Sequence, residues 1–208
     1  MSIVSYNDLL VAGANWLARG DLSSRLPEFV ALAEAAFNRD FRVRAMEQRA
    51  QATTVGNQAY YAWPGDLLEV RAIQIAGDPP VVLGYLTPEQ LREKGSAAEA
   101  ATPRFWTDVQ GALQLWPSPS DGLTIEIDYY KRLNLAGEAG GANWLIAKHP
   151  DIYLYGTLMQ AEPYLMNDAR VATWSQLLNA AVDQMQREEW RIKAGAMPAM
   201  VRSDYRGA

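Results

Sequence analysis

The chain is predicted to fold as an α+β protein, with helices from both ends enclosing an antiparallel β-rich middle. Three patterns carry this expectation. Residues 5–48 and 143–193 place apolar side chains at helical spacing. Residues 49–142 alternate in polarity and are punctuated by Gly, Pro and Asn. The stretch from His149 to Lys193 reads as an aromatic-rich helix, a break between Pro163 and Asn167, and a second helix of about 25 residues. A helix of that length cannot bury an apolar stripe by itself, so it needs a partner surface.

The first helix starts at Ser5-Tyr6-Asn7-Asp8, a capping box whose Ser5 and Asp8 side chains satisfy free backbone N–H groups. Tyr6, Leu9, Leu10, Gly13, Trp16 and Leu17 mark its apolar face. Arg19-Gly20-Asp21 supplies the turn, with Gly20 suited to a left-handed cap. A second helix begins near Pro27, a residue favoured in the first turn. Its face runs through Phe29, Leu32, Ala33, Ala36, Phe37 and Phe41, and it fades near Met46.

Residues 49–55 and 58–63 then read as a hairpin around Gly56-Asn57, broken by Pro64-Gly65. Residues 69–75 and 81–86 are further strands, separated by Gly77-Asp78-Pro79-Pro80. A short helix starts after Thr87, and residues 95–103 form a loop. A second hairpin joins residues 104–109 and 112–116 through Gln110-Gly111. After a turn at Asp121-Gly122, Leu123, Ile125, Ile127 and Tyr129 face one way and Thr124, Glu126, Asp128 and Tyr130 the other. A Gly-rich run from 137 to 141 leads back to helix at Trp144. His149 is the lead-in to a helical turn opened by Pro150 and Asp151. In the aromatic-rich helix Tyr153, Leu154, Leu158, Ala161 and Leu165 form one stripe; Trp174, Leu177 or Leu178, Ala181 and Met185 continue it in the last helix. The domains expected are a discontinuous helical bundle (1–48 and 143–195), an inserted β-rich domain (49–142) and a C-terminal tail (196–208).

At 208 residues the chain is long enough for a sizeable core. A net charge of −5 and a pI near 5.0 oppose broad electrostatic binding of nucleic acid. With no cysteine and one histidine, thiolate chemistry, disulfides and His-cluster metal sites drop out, and no cofactor is expected. Neither a secretory signal nor a membrane-spanning run is visible, so synthesis in the cytoplasm and no membrane contact are expected.

Several strings carry a family likeness. Near the start they are Trp16-Leu17-Ala18-Arg19-Gly20-Asp21-Leu22, Leu26-Pro27-Glu28-Phe29, Leu32-Ala33-Glu34, Asn38-Arg39 and Arg42-Val43-Arg44-Ala45-Met46-Glu47. In the middle are Trp63-Pro64-Gly65-Asp66-Leu67-Leu68-Glu69 and Leu115-Trp116-Pro117-Ser118-Pro119. Towards the end come Asn143-Trp144-Leu145, Pro150-Asp151-Ile152-Tyr153-Leu154-Tyr155-Gly156 and Ala161-Glu162-Pro163-Tyr164-Leu165. In these the chain resembles the adaptor (head-to-tail connector) proteins of short-tailed bacteriophages, from residue 6 to about residue 190. The resemblance implies a structural virion protein, a ring of about twelve copies between portal and tail nozzle. The helical part would form the ring wall, and the β insertion and tail would reach neighbouring rings. Genomic DNA would pass through without specific binding.

Candidate residues have competing readings. Glu126 and Asp128 share a strand face roughly 6 to 7 Å apart, near a glycosidase spacing, which keeps a cell-wall (peptidoglycan) hydrolase open beside a solvated strand face. A binding module built on the β part is the third class. Arg39, Arg42, Arg44 and Arg49 could meet phosphate, but the interleaved Glu34, Asp40 and Glu47 favour ion pairs within or between subunits. Trp144, Tyr155 and Trp174 join Arg39, Arg42 and Arg44 as intersubunit candidates, while Trp16, Trp144, Tyr153 and Tyr155 also fit a core. In the tail, Met197, Met200, Val201, Arg202, Tyr205 and Arg206 read either as a frayed end or as a segment docking on the portal or a neighbouring ring.

Overall fold

The structure, a computed structural model, describes residues 2–95, 99–166 and 168–196. In chain order the elements are α1 (Tyr6–Leu17), α2 (Leu26–Asp40), β1 (Glu47–Thr53), β2 (Tyr60–Ala62), β3 (Leu67–Ile75), β4 (Val81–Val82), β5 (Gly84–Tyr85), α3 (Pro88–Glu93), β6 (Phe105–Val109), β7 (Ala112–Trp116), β8 (Thr124–Lys131), α4 (Trp144–Lys148), α5 (Pro150–Tyr164) and α6 (Asp168–Ala196). The α+β class holds. The chain divides into two compact units, Met1–Ala45 with Leu133–Ala208, and Met46–Arg132. Among the described residues no helix is long and apolar enough to cross a membrane.

In the helical unit, Ser5 caps α1: its hydroxyl oxygen accepts the Asp8 N–H at 3.2 Å, while the Asp8 carboxylate accepts the Ser5 O–H at 2.8 Å and the Val4 N–H at 3.2 Å. Leu9, Ala12, Gly13 and Leu17 are buried. Trp16 departs from the expected core position. At the last turn it lies edge-on to Tyr155 and Trp174, and 49% of its surface stays exposed. The left-handed cap also falls at Ala18 (φ 52°) instead of Gly20, which opens a 3-10 turn. The earlier turn lets Leu22 and Leu26 join the core.

Helix α2 has Pro27 in its first turn and buries Leu26, Phe29, Val30, Ala33, Glu34 and Phe37. Leu32, expected on this face, is exposed, because steps of about 100° per residue turn it away from Phe37. The helix also stops at Asp40, well short of Met46, with Arg44–Met46 a separate 3-10 turn. Arg42 ends it by donating to the carbonyl oxygens of Asn38 (2.9 Å) and Phe41 (2.5 Å), which answers the free acceptors of a helix end.

Helix α4 is capped by Asn143, whose side-chain oxygen accepts the Leu145 and Ile146 N–H groups. His149 is the lead-in to Pro150, as read from the sequence. Helix α5 is central: α1, α2, α4 and α6 all pack on it, and it buries Ile152, Tyr153, Leu154, Gly156, Leu158 and Ala161. A Cβ on Gly156 would stand 2.5 Å from Phe37 Cζ, so this glycine sets the approach of α2. Helix α6 buries Trp174, Leu178 and Met185 on one stripe, leaving Leu177 exposed.

Two side chains of α2 receive the returning chain. The Asn38 amide donates to Leu133 O at 3.0 Å, and its oxygen accepts the Leu133 N–H at 2.8 Å. One helical turn away, Glu34 Oε1 accepts the Leu135 N–H at 2.6 Å and the Tyr153 O–H at 2.8 Å. Asn143 donates to that Tyr153 oxygen at 2.7 Å. The helical unit therefore resumes at Leu133, upstream of residue 143.

The β unit holds two four-stranded sheets, in the orders β1-β8-β3-β4 and β2-β7-β6-β5. All pairs are antiparallel except β5 with β6. Ile73, Ile75, Leu83, Leu113, Leu115, Ile125, Ile127 and Tyr129 make one core from both sheets. The expected hairpin at Gly56-Asn57 does not form, since β1 pairs with β8 and β2 with β7. A type I′ turn needs two positive φ angles, and only Asn57 (φ 64°) has one. Buried Thr54 fixes the parting: its N–H donates to Leu123 O at 2.7 Å and its hydroxyl to Ser120 O at 2.7 Å. The expected strand 81–86 is likewise two strands in different sheets. They part at Leu83, whose N–H donates to Ile73 O, whereas that of Gly84 donates to Arg104 O. The hairpin at Gln110-Gly111 stands as read, with φ of 53° and 76°. So do the start of α3 after Thr87, where the structure adds a capping box with Gln90, and the alternation of β8.

Two outcomes are expected. Gly156→Ala should cost the helical unit about 1–3 kcal/mol through overpacking against Phe37, read by urea denaturation. Burial raises the Glu34 pKa above its ordinary 4.5. The native state then keeps this proton where the unfolded chain has released it. The contribution is full below pH 4.5 and is lost as pH rises through the native value. Relative to Glu34→Gln, which keeps the acceptor oxygen, the wild type should therefore lose melting temperature as pH climbs from 4.5 to neutral. A constant difference would refute the assignment.

Candidate assembly surfaces

The helical unit places three aromatic residues together at the α1–α5–α6 junction. Tyr155 and Trp174 stack at 6.2 Å with an 18° tilt, and Trp16 lies edge-on to both, at 6.4 and 5.7 Å. Trp174 is only 6% exposed. Its indole N–H donates to Glu162 Oε1 at 2.9 Å. Arg170 reaches the same oxygen at 3.2 Å and lays its guanidinium 5.6 Å from the Trp174 ring centre. Glu162 is fully buried, and its second oxygen has no hydrogen-bond partner. The cluster thus has a fixed inner side and an open outer edge formed by Trp16, Tyr155 and Arg170.

Of the intersubunit candidates, Tyr155 and Trp174 come together, while Trp144 opens α4, half-buried, outside this stack. Arg39 is exposed on the last turn of α2. Arg42 is occupied with the helix end. Arg44 is exposed, and its backbone N–H donates to Glu189 Oε2 at 3.3 Å. Trp190, 70% exposed, and Ile192 add apolar surface late in α6. The tail candidates Met197, Met200, Val201, Arg202, Tyr205 and Arg206 lie outside the described residues.

The β unit holds Arg49 and the two acids proposed as a hydrolase pair. Arg49 grips Asp128 through two hydrogen bonds of 2.6 and 3.0 Å and reaches Glu126 at 3.5 Å. Gln74 and Gln51 donate to Glu126 at 2.6 and 2.8 Å. Hydrogen bonds from Gln74 and Gln51 hold the Glu126 carboxyl below its usual range, and Arg49 does the same for Asp128. A glycosidase acid needs the opposite shift, since it must keep its proton near neutrality. Paired in this way, the acids organise a strand face.

A family model described as SU10 adaptor protein matches residues 4–202. The chain belongs to that family. Membership makes it a bacteriophage adaptor, with a structural role, and a virion component that interacts with other phage head and tail proteins. A search of the curated proteins found no match. The adaptor's aromatic residues were visible in its sequence, but Glu162 and Arg170 were not singled out. Their signal was a carboxylate one position after Ala161 on the aromatic-rich helix, followed by Arg170 and Trp174 at helical spacing.

Trp174→Phe keeps the ring stack and removes the indole donor from the buried Glu162. It should lower the stability of the helical unit by about 1–3 kcal/mol, read by urea denaturation.

Proposed function

We propose that the adaptor is one subunit of a ring of about twelve copies that joins the portal to the tail nozzle and continues the DNA channel. The observation that carries this reading is the family match over residues 4–202. The helical unit supplies a rigid wall, and its open apolar side chains, Trp16, Leu177, Trp190 and Ile192, suit burial between copies. Arg39, Arg44, Trp144 and Tyr155 are the residues we assign to contacts between subunits. Trp174 acts there by holding Trp16 and Tyr155, and Arg42 by shaping the end of α2. One patch meeting a different patch on the next copy closes a ring by rotation. At −5 per chain, about twelve copies total about −60, which repels phosphate and lets genomic DNA pass without specific binding. Subunits made in the host cytoplasm would assemble on the portal, and the tail residues Met197, Met200, Val201, Arg202, Tyr205 and Arg206 would make the portal contact.

Mixing the purified chain with portal and measuring complex mass tests the ring. About twelve subunits per portal ring are expected, and complexes with no fixed stoichiometry would overturn it. Removing residues 196–208 should weaken portal binding by about tenfold or more, a loss of about 1.4 kcal/mol per tenfold, with the thermal melt unchanged. Unaltered binding would remove the portal role of the tail.

A further inference from the structure

The packed pair α5 and α6 carries a different feature on each of its two flanks. On one flank, between α2, α5 and α6, lies a groove of about 340 Å³. Its floor is Phe37, Phe41, Gly156 and Leu178, with the rings of Phe37 and Phe41 stacked 5.1 Å apart. On its rim stand the amide side chains of Gln160, Asn179 and Gln186, none of which is engaged by another described residue. On the other flank the exposed Trp16 stands edge-on to Tyr155 and Trp174. Leu177, also exposed, continues the line of Arg170 about two turns further along α6. It points about 200° away from Asn179 on the groove side. None of Trp16, Tyr155, Arg170 and Leu177 lines the groove.

We propose that the groove takes the Trp16 edge of a second copy of this chain, so that each adaptor offers a knob to one neighbour and a groove to the other. This contact rests on the ring proposed above and names the two patches that build it. An apolar aromatic floor suits an indole, and interfaces draw much of their affinity from Trp seated in such pockets. Trp16 is prepared for this role before contact: Tyr155 and Trp174 hold its ring, so little entropy is lost on docking. Its indole N–H donates to no described residue of its own chain, and the amide oxygens of the rim supply acceptors. Trp190 is the more exposed tryptophan, but it stands on the groove's own flank, near Phe41 and Met185, and cannot serve as the opposite knob. A knob and a groove on opposite flanks make a heterologous contact, which repeats by rotation and closes a ring where the angle allows.

The chain has no cysteine, so engineered thiols report the contact without background. Leu177→Cys marks the knob flank and Asn179→Cys the groove rim. Equal amounts of the two singly substituted chains are mixed and treated with a short bis-maleimide, first as free protein at high concentration and then on portal. Links between unlike chains should exceed links between like chains by about tenfold, because a heterologous contact joins two different patches. Adding Trp16→Ala to the Leu177→Cys chain should abolish the excess. Adding it to the Asn179→Cys chain should leave the excess in place, since that chain supplies only the groove, and this arm also shows that Trp16→Ala chains still fold. Equal effects in the two arms, or like-chain links as frequent as unlike ones, would overturn the proposal. The mass of the portal complex separates this contact from the ring. Unlike-chain links in complexes with no fixed stoichiometry keep the knob and groove and refute the ring, whereas a ring of fixed mass without such links refutes the knob and groove alone.

Discussion

The helical unit depends on how α2 receives a chain that returns after the whole β unit. Closing so long a connection costs conformational entropy, although the cost grows slowly with length. Glu34 and Asn38, one turn apart, answer it with polar contacts to Leu133, Leu135 and Tyr153. Asn38 pairs with both backbone groups of Leu133, much as a strand neighbour would. Glu34 sits in an apolar stripe, where a bare carboxylate would be costly. Its two donors on one oxygen make the position tenable and specific for this returning segment. Leu133 and Leu135 are thereby drawn into the core, and α4 and α5 follow from them.

Much of this was legible in the residues. The helical stripes of α1, α2, α5 and α6, the alternation of β8 and the Gln110-Gly111 hairpin rest on local periodicity and turn chemistry, which neighbouring residues record by themselves. What could not be read depends on partners distant in sequence. The pairing of β1 with β8 is set by Thr54 holding Leu123 and Ser120, and no local pattern announces that. Residues 81–86 have an apolar run that fits one strand, yet the need to serve two sheets divides it at Leu83. Glu34, expected in ion pairs with the arginines, instead serves Leu135 and Tyr153; its mark was a charged residue one position after Ala33 on the face that also carries Val30 and Phe37. The assembly candidates were legible as aromatic and arginine residues, but not which of them their own subunit would bury.

The two buried acids of the helical unit differ in a useful way. The Glu34 carboxylate is joined to backbone and tyrosine donors deep between segments. That of Glu162 takes its donors from side chains, Trp174 and Arg170, and the residues around it run out to the open edge at Trp16. Interface energetics concentrate where aromatic and arginine side chains are held rigidly before contact, because little entropy is then lost on binding. The Trp16–Tyr155–Trp174–Arg170 group has that property, with Glu162 as its internal anchor.

Helix α6 sets the remaining condition. It is the longest helix among the described residues, and Trp174, Leu178 and Met185 are its buried large apolar side chains. Its later turns, with Trp190 and Ile192 outward, leave apolar surface in need of a cover. In the proposed ring, a neighbouring copy covers that surface. A ring that repeats one contact in every copy gains from multivalency what each single contact lacks.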